Sequence, residues 1–170
     1  MREIGRGKII NVSSVSGMLA MPTMASYSAS KYALEGASEA LWYESKPLGI
    51  NVSLIQPGFI RSNSFKKVYY TRHSSPVHSH KGPYSDYYAN MTPFIEKLMN
   101  RSLTTPEKIA NLIVKVIQTE NPPLWIPATY DALLFYYVRR LLPRRLLLPF
   151  LLACLPGSRR WGESYSNRRD

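Results

Sequence analysis

Residues 8–31 read KIINVSSVSGMLAMPTMASYSASK, and this stretch decides the fold. Its first part, residues 8–14, contains the β-branched and nearly continuous Ile9, Ile10 and Val12, which predicts a strand buried on both faces. A turn of small residues follows, and a helix is predicted over 26–46. Tyrosine and lysine four residues apart lie on one face of a helix. Three polar side chains are therefore expected to converge at the end of the strand: Ser14, Tyr27 and Lys31.

These three side chains suit proton transfer at a carbonyl or alcohol oxygen. A free tyrosine is a poor base at neutral pH, but an ammonium one helical turn away favours its phenolate form. With Lys31 in that position, Tyr27 is a candidate acid and base, and Ser14 can hydrogen-bond the same oxygen. The trio moves only a proton, so carbonyl–alcohol interconversion needs a hydride carrier bound beside it. An isolated Tyr-x-x-x-Lys pair is more often a surface pair, so the hypothesis depends on the joint placement.

A second buried strand is predicted over residues 50–56, INVSLIQ, and it ends at Pro57-Gly58. The order strand, helix, strand, with a crossover of this length, predicts a parallel βαβ unit and an α/β fold. In open α/β sheets, ligands bind at the carboxyl ends of the strands. Ser14 and Pro57-Gly58 are both predicted to lie at that edge.

The remaining sequence is less regular. Residues 59–102 are rich in polar and aromatic side chains and are predicted to form a substrate-loop region, with a helix at 91–99. Thr105 and Pro106 predict the start of a further helix. A short third strand is predicted at 124–126. We divide the chain at residue 130, and the basic, leucine-rich tail over 131–170 is predicted to carry helices at 130–142 and 144–155, interrupted by prolines at 143 and 149.

Three motifs, taken together, resemble the short-chain dehydrogenase/reductase family of the classical type. They are NVSSVSG at 11–17, YSASK at 27–31, placed thirteen residues after Ser14, and PGFIRS at 57–62. The resemblance covers residues 1–130. It implies a Rossmann-like doubly wound parallel sheet and an oxidoreductase that uses NAD or NADP. By analogy, it also implies a hydrophobic substrate, such as a steroid-, retinoid- or lipid-like molecule.

The resemblance also implies roles for individual residues. Ser14 would stabilise the substrate oxygen, Tyr27 would be the catalytic acid and base, and Lys31 would assist Tyr27 and hold the nicotinamide ribose. Pro57, Gly58 and Ile60 would line the nicotinamide, and Ser62 would touch the cofactor amide or phosphate. The implied cofactor-binding set is Tyr27, Lys31, Pro57, Gly58, Ile60 and Ser62.

Other parts of the family's pattern have no counterpart in these 170 residues. The glycine-rich phosphate turn and the residue that recognises the adenosine lie upstream of the matched serine in the family. We therefore expect this chain to correspond to the C-terminal half of such an enzyme. By itself, it is expected to bind a nicotinamide dinucleotide weakly and to turn over little. The alternative is a non-catalytic, membrane-associated or partner-binding truncated product that retains the trio.

Composition limits the other classes of function. The only cysteine is Cys154, so no intrachain disulfide and no thiolate metal site can form. The histidines at 73, 78 and 80 are interpreted as loop polar residues, and no metal site is expected. A cytoplasmic location fits best. No uncharged stretch in the tail reaches the roughly 20 residues that a membrane-spanning helix needs.

The net charge of +11 is concentrated in the tail, where residues 139–170 hold eight arginines and two acidic residues. One interpretation is peripheral association of 131–170 with an anionic membrane surface. A nucleic-acid partner is not expected, because leucine and phenylalanine outnumber rings suited to base stacking. A third interpretation is a pair of plain C-terminal helices over a pocket or a dimer partner. The resemblance further implies homo-oligomers that form through the Tyr27 helix.

Overall fold

Three parallel strands form the sheet in the computed structural model, which describes residues 1–64, 68 and 84–162. Within these residues the strands are β1 (Gly7–Val12), β2 (Ile50–Gln56) and β3 (Trp125–Pro127), in the order β1-β2-β3 across the sheet. Both strand pairs are parallel. The parallel α/β sheet expected from the sequence is confirmed, and the third strand begins one residue later than predicted.

Backbone hydrogen bonds between the β1 and β2 segments continue past the ends of the two strands. The Ser13 N–H donates to the Ile55 carbonyl at 2.8 Å, and the Val15 N–H donates to the Pro57 carbonyl at 2.7 Å. The predicted strand end at residue 14 is nevertheless two residues too late, because Ser14 is the N-cap of a 3-10 turn. The turn directs the chain away from the sheet at the edge where ligands were expected.

Helices cover both faces of the sheet. Successive side chains of a strand point to opposite faces. Gln56 of β2 hydrogen-bonds to Glu35, while its neighbour Ile55 packs against Ile109 and Val116. Glu35 lies on the helix after β1, whereas Ile109 and Val116 lie on a helix after β2. Helices from the two connections therefore cover opposite faces, and the sheet is doubly wound and Rossmann-like. The helices are α1 (Ala25–Ser45), α2 (Ser85–Arg101), α3 (Pro106–Gln118), α4 (Tyr130–Leu141) and α5 (Arg144–Cys154).

Most helix bounds agree with the predicted ones to within one residue. Thr105 is the N-cap of α3 and Pro106 its first residue, as predicted. Two expectations were wrong. Helix α2 starts at Ser85 rather than at 91, with Asp86 in its first turn, where a carboxylate stabilises the positive end of the helix dipole. Pro149 does not interrupt α5 but lies inside it, because the helix tolerates the loss of one backbone hydrogen bond.

Part of the predicted excursion over residues 63–88 lies outside the described residues, as do the three histidines at 73, 78 and 80. The proposed division at residue 130 stays a prediction. Ala132 of α4 is fully buried against Val15 and Met18, so α4 packs on the turn that follows β1. Among the described residues, no helix combines the length and the apolar character needed to cross a bilayer.

We predict that Leu54→Ala lowers the free energy of unfolding by about 2–5 kcal/mol. Leu54 is 0% exposed in the central strand, so its truncation leaves a cavity. The matched control is Val114→Ala, because Val114 on α3 is 50% exposed and its truncation should change stability by less than about 0.5 kcal/mol. Chemical denaturation measures both, and equal losses would contradict the assignment of β2 to the core.

Candidate active site

Ser14 lies at the carboxyl end of β1, where it is buried. Its Oγ accepts a hydrogen bond from the Ser16 N–H at 3.1 Å, which closes the 3-10 turn. A hydroxyl has one hydrogen to donate and two lone pairs, so the Ser14 hydrogen remains for another acceptor. The backbone on either side is held to β2 through Ser13 and Val15. Ser14 is therefore a well-positioned hydrogen-bond donor at the sheet edge.

Tyr27 and Lys31 lie on the first two turns of α1, as predicted. Lys31 Nζ donates to the Val12 carbonyl at 3.0 Å and lies 5.7 Å from the centroid of the Tyr27 ring. Tyr27 is 40% exposed. The Lys31 ammonium thus lies near the Tyr27 ring while it is bonded to the end of β1, two residues before Ser14. Within the described chain, no hydrogen bond links Ser14 to Tyr27, and their common action on one oxygen stays a prediction.

Glu35 is a buried residue at the site that the sequence reasoning missed. Its Oε1 accepts hydrogen bonds from Ser13 Oγ at 3.1 Å and from Gln56 Nε2 at 3.0 Å. It therefore connects α1 to the carboxyl ends of both β1 and β2. An added Cβ on Gly17 would overlap Glu35 Oε1, so this approach requires glycine in the turn. The signal was present, because Glu35 follows Lys31 by four residues on the same helical face.

Burial raises the pKa of Glu35 above its ordinary value, because desolvation disfavours the charged carboxylate. The hydrogen bonds from Gln56 and Ser13 oppose this shift, and the guanidinium groups of Arg139 and Arg140 oppose it further. Desolvation is the largest of these effects. The carboxyl group of Glu35 thus takes up a proton more readily in the folded chain than in the unfolded one.

One face of α1 meets the end of β1 through a series of polar contacts. Besides the bonds of Lys31 and Glu35, Asn11 Nδ2 donates to Ser38 Oγ at 2.9 Å. We call these three contacts the polar seam, and its pairs are Lys31 with Val12, Glu35 with Ser13, and Ser38 with Asn11. The seam sets the position of α1 along the strand that leads into Ser14.

The segment after β2, predicted to line a nicotinamide, is held by the start of α4. The Gly58 N–H donates to Thr129 Oγ1 at 2.9 Å, and the Phe59 N–H donates to Asp131 Oδ2 at 2.8 Å. A Cβ on Gly58 would overlap the Asp131 carboxylate. Thr129 and Asp131 were missed as site residues. Their sequence signals only a helix start, with Thr129 as N-cap.

The structure places the other predicted cofactor residues as follows. The Pro57 carbonyl accepts from Val15 and so joins the two strand ends. The Ile60 side chain packs against the apolar cluster beneath α3. Ser62 Oγ hydrogen-bonds to Ser64 Oγ at 2.8 Å. Contacts of Pro57, Gly58, Ile60 and Ser62 with a cofactor stay predictions. No group of three or more His, Cys, Asp or Glu side chains able to hold a metal occurs in the residues that the structure covers.

Comparison with known proteins identifies the family. The family model for the short chain dehydrogenase matches residues 1–73. The 3-ketodihydrosphingosine reductase of Bacteroides thetaiotaomicron is 38% identical over 123 residues, which is 72% of this chain and 44% of that protein. The uncharacterized oxidoreductase YusZ of Bacillus subtilis is 35% identical over 121 residues, which is 71% of this chain and 42% of that protein.

Solved structures agree with these matches. A short-chain dehydrogenase from Streptomyces avermitilis has a TM-score of 0.59 at 32% identity, over 81% of this chain and 47% of that one. A short-chain dehydrogenase/reductase from Burkholderia phymatum in complex with NAD has the same TM-score at 21% identity, over 83% of this chain and 48% of its own, which shows the fold alone. The chain belongs to the short-chain dehydrogenase/reductase family. It spans less than half the length of the relatives named here.

We predict that Glu35→Gln removes a pH dependence of stability that the wild type has. The folded-state pKa of Glu35 is raised, so its stabilising contribution is complete below about pH 4.5 and is lost as the pH rises through the folded pKa. The unfolding free energy of the wild type, relative to that of Glu35→Gln, should therefore fall from acid to neutral pH. Denaturant titrations at several pH values measure this difference.

Two further variants separate the charge of Glu35 from its hydrogen bonds. Glu35→Ala should cost about 1–3 kcal/mol at neutral pH, because Ser13 and Gln56 lose their acceptor. Glu39→Gln, at an exposed position one turn later, should change stability by less than about 0.5 kcal/mol at neutral pH. A constant difference between wild type and Glu35→Gln across the pH range would contradict the assignment.

We predict that Gly58→Ala and Asp131→Ala are not additive. Gly58→Ala should cost about 1–3 kcal/mol through overlap with the carboxylate, and Asp131→Ala about 1–3 kcal/mol through loss of the Phe59 acceptor. In the double variant the overlap is absent, so its cost should be smaller than the sum. Gly36→Ala is the control, because a Cβ there meets nothing within 4 Å and should stabilise α1 by about 0.5–1 kcal/mol. Additive losses in a denaturation cycle would contradict this contact.

Proposed function

We propose that the chain carries the proton-transfer site of an NAD(P)-dependent oxidoreductase that interconverts an alcohol and a carbonyl group. The observation that carries the proposal is the placement of Lys31. Its ammonium binds the Val12 carbonyl and lies beside the Tyr27 ring. A cation at this place would balance negative charge that develops at the site during proton transfer. Ser14 follows at the same strand end as a donor to the substrate oxygen.

Tyr27 and Ser14 have distinct tasks in this proposal. In the reducing direction, the Tyr27 hydroxyl donates its proton to the carbonyl oxygen, and in the oxidising direction the phenolate takes the proton back from the alcohol. The Ser14 hydroxyl donates a hydrogen bond to that oxygen, on which negative charge develops in the transition state. Because the 3-10 turn already holds Ser14, little reorganisation is needed when the charge appears.

NAD or NADP supplies or accepts the hydride when it is bound. The donor set of Lys31 fits the ribose-binding role implied by the resemblance, because an ammonium has three hydrogens and the bond to Val12 uses one. The N–H groups of Gly58 and Phe59 are engaged by α4, so this segment would serve as a rigid wall rather than as a donor pair. The choice between NAD and NADP stays open.

A hydrophobic substrate is the class we favour. A relative at 38% identity is named for the reduction of a ketone, 3-ketodihydrosphingosine. Aromatic rings also cluster at the start of α2, where Tyr87 lies 5.7 Å from Tyr84 and 5.0 Å from Trp161, between ring centroids. The other end of α2 is tied to the predicted cofactor segment, because Ser102 Oγ donates to the Phe59 carbonyl. A cluster of rings on the helix that is tied to this segment supports an apolar substrate.

We also propose a cytoplasmic location, supported by the lone cysteine in 170 residues. Association of copies through α1 is a further proposal. It is supported by the resemblance and by the exposed rings on this helix, with Tyr43 63% exposed.

We predict that Tyr27→Phe lowers kcat by about 10²–10⁴-fold. The phenylalanine keeps the ring beside Lys31 but has no proton to transfer. Reduction of 3-ketodihydrosphingosine, followed by the loss of reduced-nicotinamide absorbance, is the first assay. Tyr43→Phe, on the same helix, is the matched control and should keep full activity.

The assay is run on the 170-residue chain and on any longer product of the same gene. Activity that survives Tyr27→Phe unchanged would contradict the catalytic assignment and favour the non-catalytic alternative. Activity on other ketones, but none on this one, would retain the proton-transfer site and overturn only the substrate class.

A further inference from the structure

The outward face of α4 is unusually apolar for a helix at the surface. Its inward face packs Ala132, Phe135 and Tyr136 against the turn after β1. The opposite side carries a second apolar stripe at spacings of four, three and four residues, the pattern of one helical face. The members of this stripe are 55–85% exposed, and they are Tyr130, Leu134, Tyr137 and Leu141.

Helix α5 carries further exposed apolar side chains. Leu147 is 1% exposed and anchors the helix. The larger side chains around it point outward and are 50–63% exposed, namely Leu146, Leu148, Phe150 and Leu152. Together with the stripe on α4, these side chains form what we call the apolar tail face. A group of large exposed apolar side chains on neighbouring segments marks a candidate interaction site.

Basic residues outnumber acidic ones along the segment that carries the apolar tail face, and Asp131, in the first turn of α4, is engaged by the Phe59 N–H. Residues 132–162 contain six arginines and no acidic residue. Arg139 and Arg140 lie over the rings of Tyr32 and Tyr136, at 5.4 Å and 3.5 Å from the ring centroids, toward the inward side of α4, so they are not counted among the cations of this face. Arg144 and Arg145 are exposed at the start of α5. The face therefore presents large apolar side chains among cations.

We propose that the apolar tail face binds an anionic membrane surface, with its leucines at the level of the lipid headgroups and its arginines on the lipid phosphates. A short amphipathic segment with basic residues beside large apolar ones binds in this way, lying in the membrane plane. Neither helix has the length and apolar character to span the bilayer. The proposal is independent of the oxidoreductase chemistry.

Other occupants fit the face less well. Two copies that met through this face would bring their arginines together across a two-fold axis, with no acidic residue from 132–162 to compensate. Nucleic acid would satisfy the arginines but would leave the leucines in water. Only a surface that is both apolar and anionic complements both features.

The apolar tail face is also connected to the proposed active site. The first turn of α4 holds Gly58 and Phe59 through Thr129 and Asp131, and the exposed stripe begins at Tyr130 between those two residues. Membrane docking would place the cofactor segment next to the lipid surface. A substrate dissolved in the bilayer would then be delivered close to the site.

Flotation of the 170-residue chain with vesicles tests the proposal. We expect binding to phosphatidylcholine vesicles that contain about 30% phosphatidylserine, and much weaker binding to phosphatidylcholine alone. Arg144→Gln with Arg145→Gln should weaken binding about thirtyfold, since each arginine at an anionic surface contributes roughly a factor of five. Leu134→Gln with Leu141→Gln should weaken it at least tenfold, by roughly what burial of two exposed leucines is worth.

Two matched controls exist on other helices. Val114 and Ile117 of α3 are 50% and 52% exposed, so changing both to Gln removes similar apolar surface elsewhere. Lys97→Gln with Arg101→Gln removes two exposed charges from α2. Both pairs should leave vesicle binding unchanged, and circular dichroism checks that every variant folds.

Several results would overturn the proposal. One is equal binding to vesicles with and without phosphatidylserine, and another is full binding by the Leu134→Gln/Leu141→Gln variant. A third is a loss of vesicle binding in the control variants as large as that in the tail variants. A dimer that is lost in the Leu134/Leu141 variant, with no vesicle binding, would assign the face to a second copy instead. Tight binding of duplex DNA that depends on Arg144 and Arg145, but not on the leucines, would assign it to nucleic acid. None of these readouts involves catalysis, so they are independent of the Tyr27→Phe result.

Discussion

The hydrogen bonds that the buried carboxyl group of Glu35 accepts hold the site together. Its Oε1 accepts hydrogen bonds from Ser13 Oγ and Gln56 Nε2, which lie at the carboxyl ends of two neighbouring strands. A buried polar group that loses its partner is costly, so the three side chains stabilise one another's positions. Ser14 adjoins Ser13 along the chain, and Lys31 precedes Glu35 by one turn. The contact that seats α1 on the sheet therefore also positions the serine and the lysine relative to each other.

The two faces of the sheet are stabilised differently. Beneath α3, Ile55 packs with Ile109 and Val116 in an apolar cluster. Beneath α1, the polar seam replaces much of such packing, and the helix carries many small residues. Apolar contacts are non-directional, whereas hydrogen bonds impose a particular register and orientation. The apolar face thus supplies burial, and the polar face supplies the geometry that proton transfer needs. Because burial raises the pKa of Glu35, the contribution of the seam to stability is expected to depend on pH.

Local patterns predicted most of the fold. The β-branched runs predicted β1 and β2, and the helical spacing of Tyr27 and Lys31 predicted that they share one face of α1. The end of β1 was predicted too late, because the capping of a 3-10 turn by Ser14 outweighs the apolar run before it. Glu35 was missed because an isolated glutamate on a helix is most often solvated. Thr129 and Asp131 were missed because a helix start does not show what it touches.

The sequence by itself determined the strand–helix–strand order, the polar trio and the cationic, leucine-rich tail, because these depend on residue type and on spacings within one element. The tertiary structure alone decided which groups meet across elements. Glu35 and Gln56 are 21 residues apart, and Phe59 and Asp131 are 72 residues apart. It also decided that the stripe through Leu134 and Leu141 faces outward while Ala132 faces the core. Contacts of this kind depend on how each helix lies on the sheet, and that arrangement is set by packing of the whole chain rather than by any local pattern.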